Sequence, residues 1–160
     1  MNGIGGIPGS RRVLVLGYGN PGRQDDGLGP AMVAAIAEMG KPNVTAFDNY
    51  QLNIEDAMDV AQHDVVWFVD ASKSGASPFA THDVAPALTI DFTSHIVRPE
   101  AILAIAQQLY GASPQAHMLA IRGYAFEFIE ELTAGAVHNL RAAVTMLSAF
   151  IEAVQEARDS

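Results

Sequence analysis

The stretch Val13-Leu14-Val15-Leu16-Gly17 is an unbroken apolar run that stops at a glycine. A strand with one wet face alternates apolar and polar residues. A continuous run instead fits a strand buried on both faces, as in a parallel sheet. Two further runs repeat the pattern: Val44 to Phe47, ending at Asp48, and Val65-Val66-Trp67-Phe68-Val69, ending at Asp70. Between them lie segments with helical character. Ala31 to Met39 has Pro30 suited to a first helical turn and is stopped by Gly40 and Pro42; Ile54 to Ala61 follows the second run. Farther on, Phe79 to Val84 and Met118 to Ile121 read as strands. Glu100 to Tyr110, between Pro99 and Gly111, reads as a helix. Thr133 to about Ala157 reads as a long amphipathic helix, with Val137, Leu140, Val144, Leu147, Ile151 and Val154 as its apolar stripe. Strands alternating with helices predict a three-layer α/β/α fold, a mostly parallel twisted sheet of about five strands flanked by helices.

The 160 residues suit one core. No repeat, low-complexity tract or linker divides the chain, so residues 1–160 are expected as a single domain with residues 1–11 as a loose leader. Hydrophobic residues at 49% and charged residues at 17% mark a globular composition. Nine Lys and Arg against 18 Asp and Glu leave a formal charge of -9. Such a surface repels phosphate backbones and argues against a nucleic-acid partner, while a cation or a basic peptide would be attracted. The absence of cysteine excludes a disulfide framework, a thiolate zinc site and a Cys nucleophile. The glycine-rich start lacks the apolar core of a signal peptide, and no apolar run has the length of a membrane span. A soluble, cytoplasmic protein is expected.

In open parallel sheets, ligands bind beyond the carboxyl ends of the strands. Asp25 and Asp26 follow the first strand, Asp48 the second and Asp70 the third. Acids gathered on one rim repel each other unless a positive group sits between them. Phe92-Thr93-Ser94-His95 adds an imidazole ahead of a helix. Two carboxylates and an imidazole suit nickel, zinc, manganese or iron on ligand type, and equally suit acid–base chemistry. Each also has a plain structural reading: Asp25 or Asp26 satisfying loop amides or capping a helix, Asp70 closing a strand, His95 as an ordinary helix-start residue. His63, His82, His117 and His138 show no metal-type spacing, and Met32, Met58, Met118 and Met146 read as core filler. Gly17, Gly19 and Gly22 match a dinucleotide G-x-G-x-x-G, yet Pro21 and the Asp25-Asp26 pair occupy the place where a pyrophosphate needs a helix N-terminus.

The run from Val13 to Asn20, with its Gly17-Tyr18-Gly19-Asn20, followed by Asp25-Asp26-Gly27-Leu28-Gly29-Pro30, resembles the opening signature of the [NiFe]-hydrogenase maturation proteases. Val69-Asp70-Ala71, Thr93-Ser94-His95, Ala120-Ile121-Arg122-Gly123 with Phe126-Glu127, and Leu132-Thr133 resemble later blocks of that family in the right order, over residues 12 to 155. The resemblance implies metal contacts at Asp26, Asp70 and His95. It implies a metal-dependent endopeptidase that removes the C-terminal extension of a hydrogenase large-subunit precursor after nickel insertion. The nickel is expected to travel in the substrate, and the protease to act as a monomer. Asp48-Asn49-Tyr50-Gln51-Leu52 departs from the D-G-G-like turn of many relatives, which bears on substrate choice.

Two other functions compete. Peptidyl-tRNA hydrolases also open G-x-G-N-P-G, as Gly17 to Gly22 does here, but Gln24-Asp25-Asp26-Gly27 and the net charge oppose a tRNA substrate. A non-catalytic nickel chaperone could use the same three ligands.

Overall fold

The computed structural model describes residues 11–88 and 96–159, without the side chains of 157–159. The chain runs β1 (Val13–Tyr18), a short 3-10 turn (Gln24–Gly27), α1 (Leu28–Glu38), β2 (Val44–Asn49), α2 (Asp56–Ala61), β3 (Val65–Ser72), β4 (Phe79–Asp83), α3 (Pro99–Tyr110), β5 (Gln115–Arg122) and α4 (Ala134–Asp159). The five strands form one sheet in the order β2-β1-β3-β5-β4. All neighbouring pairs are parallel except β4 with β5, which is antiparallel. The expected α/β/α architecture is therefore present.

Alternation along the strands builds two cores. Val13, Val15, Val65, Trp67 and Val69 face one side, where Leu28, Met32, Val33 and Ile36 of α1 meet Leu147 and Ile151 of α4. Leu14, Leu16, Val66 and Phe68 face the other, against Ala57 and Val60 of α2 and Ile102 and Leu103 of α3. Val13 through Leu16 and Val65 through Val69 are fully or almost fully buried, as unbroken apolar runs require. Among the methionines read as core filler, Met32 is fully buried, but Met58 lies on the outer face of α2 and is 53% exposed. His117 is part of the packing: its ring stacks on Trp67 at 4.6 Å and meets Phe150 edge-on at 5.5 Å.

The elements extend beyond their apolar runs. β1, β2 and β3 continue to Tyr18, Asn49 and Ser72 because ladder pairing carries on past the last apolar residue. α1 begins at Leu28 rather than Ala31. Pro30 remains in the first turn, where its missing N–H costs no helical hydrogen bond.

The strand order reverses beside β1. α1 leads to β2 on one side, and the next crossover places β3 on the other. This is the switch point at which open α/β sheets bind ligands. Gly29 allows α1 to start tight against it: a Cβ there would lie 2.7 Å from the Tyr18 nitrogen and 2.9 Å from the Val69 oxygen. Backbone atoms cannot swing aside as side chains can. Gly29→Ala is expected to destabilise the fold by about 2–3 kcal/mol through overpacking, lowering the melting temperature by roughly 5–10 °C. A wild-type melting temperature for this variant would contradict the close approach.

Candidate active site

The loop leaving β1 turns sharply at Gly19, whose φ of 141° places it in a region that favours glycine. The chain then folds back so that the Asn20 amide donates to Asp26 Oδ2 at 2.8 Å. Asn20 Oδ1 accepts from the Gly22 amide at 2.8 Å, closing an Asx-type turn. The 3-10 turn that follows carries Asp25 and Asp26 side by side, and their environments differ completely.

Asp25 is fully buried. Its Oδ2 accepts from the Tyr124 amide at 2.7 Å, the Ala125 amide at 3.2 Å and the Thr133 hydroxyl at 2.7 Å. Its Oδ1 accepts from the Thr133 amide at 2.9 Å. Thr133 Oγ1 in turn accepts from the Ala136 amide at 3.2 Å and caps α4. Burial alone pushes the Asp25 pKa up, but the hydrogen bonds from Thr133, Tyr124 and Ala125 outweigh it and hold the carboxyl below its usual range. Asp25 is a structural tie held in its charged form by these donors, matching the loop-amide reading of this pair. Gly123 leaves room for it, since a Cβ there would come within 2.7 Å of the Asp25 Cβ.

Asp26 is half-buried and stays with the site. Asp70, at the carboxyl end of β3, accepts from the Ala71 amide at 2.8 Å. Burial, opposed by that amide and reinforced by the nearby charge of Asp26, pushes the Asp70 pKa up to about 7. The fold thus brings Asp26 and Asp70 within electrostatic reach across the switch point. Asp48 is not part of this pair: it is exposed and lines a separate hollow with Asn49, Tyr50, Gln51 and Asn53. His95 lies outside the described residues. Among the described residues, no three His, Cys, Asp or Glu side chains gather in metal-binding range. The two carboxylates alone offer hard oxygen donors and a negative field suited to a divalent cation.

Sequence reasoning overlooked two neighbours. Tyr18 stands at the end of β1, and the charges of Asp70, Glu100 and Arg98 all act on its phenol. Arg23 donates from Nε to the Phe126 carbonyl at 3.1 Å and fastens the 123–132 loop to the Asp26 loop. Strand alternation from Leu14 and Leu16 could have placed Tyr18, whereas nothing local in the sequence reports the Arg23 contact.

Among the described residues, no helix is long and apolar enough to cross a membrane.

Two measurements check this division of labour. Asp25→Asn sets amide hydrogens against an all-donor environment and is expected to cost about 2–4 kcal/mol by chemical denaturation. A loss below 1 kcal/mol would refute the tie. Asp70 has a folded pKa above its unfolded value of 3.8, so the folded state holds the extra proton and stability falls as pH rises from about 4 to about 7. Asp70→Asn removes that penalty. It is expected to stabilise the protein above pH 7, on the order of 2 kcal/mol, and to gain nothing below pH 4. A pH-independent difference would show that Asp70 is not perturbed.

Neither the protein-family models nor the curated proteins give a match to this sequence. Solved structures do match its fold. The [NiFe]-hydrogenase maturation protease HycI from Thermococcus kodakarensis superposes with a TM-score of 0.72 at 19% identity, covering 91% of this chain and 95% of that one. The hydrogenase maturating endopeptidase HybD from E. coli gives 0.69 at 22% identity, covering 88% and 92%. The hydrogenase 2 maturation peptidase from a Thaumarchaeota archaeon gives 0.65 at 23% identity, covering 89% and 99%. Across nearly its whole length, this chain has the fold of solved hydrogenase maturation proteases.

Proposed function

We propose that this protein is an endopeptidase that removes the C-terminal extension of a [NiFe]-hydrogenase large-subunit precursor once nickel has been inserted. The observation that carries this reading is the pair Asp26 and Asp70, set at the switch point of a fold shared with solved maturation proteases. The acids that follow the glycine loop favour it over the peptidyl-tRNA hydrolase reading.

The nickel belongs to the substrate. Asp26, Asp70 and His95 are the residues we assign to meet it, His95 on the strength of the sequence resemblance. A metal held by the substrate would polarise water or the scissile carbonyl. The chain's own contribution is a carboxylate at the carboxyl end of the sheet. A carboxylate oxygen of the Asp26 and Asp70 pair that is left free of the metal can take a proton from the attacking water and return it to the departing amine. Water oxygen bonds to the carbonyl carbon, the C–N bond breaks, and no enzyme-bound covalent intermediate is required. We further propose that the protein acts as a cytoplasmic monomer on a transiently bound precursor.

The test is a processing assay on the cognate nickel-loaded precursor and its nickel-free form, followed by mass spectrometry of the C-terminus. Cleavage is expected only with nickel. Asp26→Ala, Asp70→Ala and His95→Ala are each expected to lower the rate at least about 100-fold while the protein stays folded. If all three variants process normally, the site is elsewhere. Nickel binding without any processing would point to a chaperone.

A further inference from the structure

Tyr18 is the last residue of β1, and its position follows from the ladder. Leu14 and Leu16 pair in register with Val66 and Phe68 of β3, and all four side chains enter the core beneath α2 and α3. Two residues farther along each strand come Tyr18 and Asp70, which must face the same side from neighbouring strands about 4.8 Å apart. Tyr18 packs against that core at the carboxyl end of the sheet, on the same side as Asp70. On the other flank, Tyr18 pairs with Asn49 of β2. The pull of Asp70, Glu100 and Arg98 on the phenol agrees with this placement, and burial with the two acids raises its pKa well above the ordinary tyrosine range. A tyrosine hydroxyl is protonated at neutral pH and is a hydrogen-bond donor.

What that donor does is the unusual part. A largely buried tyrosine hydroxyl normally finds an oxygen or nitrogen partner. Among the described residues, the Tyr18 hydroxyl has only the Met118 sulfur, at 3.7 Å. A thioether is a weak acceptor, so exchanging it for a negatively charged oxygen loses little and gains a charge-assisted bond.

We propose that Tyr18 is a catalytic residue whose hydroxyl, beside Asp70 at the carboxyl end of the sheet, exchanges the Met118 sulfur for the oxygen of the scissile carbonyl and donates a hydrogen bond to it as water adds. When water adds to the carbonyl carbon, the C=O electron pair moves onto that oxygen, and the phenol stabilises the resulting charge without giving up its proton. A donor that gives up only a weak sulfur contact costs little reorganisation at that moment. This assignment rests on the processing activity proposed above and adds an oxyanion donor to it.

The experiment compares wild type with Tyr18→Phe, which deletes one oxygen and keeps the ring. In the precursor assay, kcat is expected to fall about 100-fold with KM nearly unchanged, as for other single oxyanion donors. The melting temperature is expected to stay within about 2 °C, because only a weak sulfur contact is lost. A second measurement does not depend on turnover. A phosphinic peptide spanning the cleavage junction mimics the tetrahedral oxyanion, and Tyr18→Phe is expected to bind it at least about tenfold more weakly than wild type. The unmodified peptide should bind both equally. A kcat within twofold of wild type, equal phosphinate affinity, or a change confined to KM would each overturn the role of Tyr18. Failure of wild type to cleave a nickel-loaded cognate precursor would overturn the processing activity, and the Tyr18 assignment with it.

Discussion

A single buried negative charge, that of Asp25, ties together the carboxyl end of the sheet. Its oxygens gather donors from the loop after β5 and from the residue that caps α4. These partners lie about a hundred residues away in sequence, so the carboxylate joins the first turn of the chain to its last helix. A buried ion is expensive unless its lone pairs are used, and here the donors include both the amide and the hydroxyl of Thr133, which stands just ahead of a 26-residue helix whose dipole favours negative charge. The rest of the site depends on this tie. The 3-10 turn cannot rotate without breaking it, and Asp26 is the next residue along.

The acids of this rim show how environment assigns roles to one residue type. Asp25 meets only donors and remains ionised. Asp70 meets a single amide, a low-dielectric surround and another carboxylate, so it titrates near neutrality. Asp48 stays in water at the margin. Proximity in sequence decides none of this: the neighbours Asp25 and Asp26 diverge, while Asp26 and Asp70 are brought together by strand order. Holding a buried acid next to a second carboxylate at a switch point lowers stability.

Much of the architecture was legible from the chain, because unbroken apolar runs ending in Gly or Asp report strands buried on both faces. The long helix from Thr133 was equally plain, since its stripe repeats over many turns. Element ends were less clear: the pairing that extends β3 to Ser72 depends on β5 rather than on local composition. β4 read correctly as a strand, but its antiparallel direction at the sheet edge is a property of topology. At the site, Asp26 and Asp70 were visible as strand-end acids, whereas the separation of Asp25 from Asp26 was not. Two adjacent aspartates carry no local mark of which will meet Tyr124, Ala125 and Thr133. Met58, which reads as core filler in the sequence, sits on the wet face of a helix too short for its periodicity to be read.

The place of β5 has a consequence for how the chain can assemble. β3 and β4 are consecutive in sequence, yet β5 lies between them and is the strand partner of both. β4 therefore has no ladder to join until residues 115–122 have arrived, and it must wait at a distance that leaves a strand-wide gap. During synthesis, β1, β2 and β3 can pair as they emerge, with their crossover helices beside them. The segment carrying β4 and α3 has to remain open to admit one more strand. Closing the sheet is then a late, non-local step of the kind that slows folding. That same step delivers the loop whose amides meet Asp25, so the rim that carries Asp25, Asp26 and Asp70 is completed only after most of the framework is already in place.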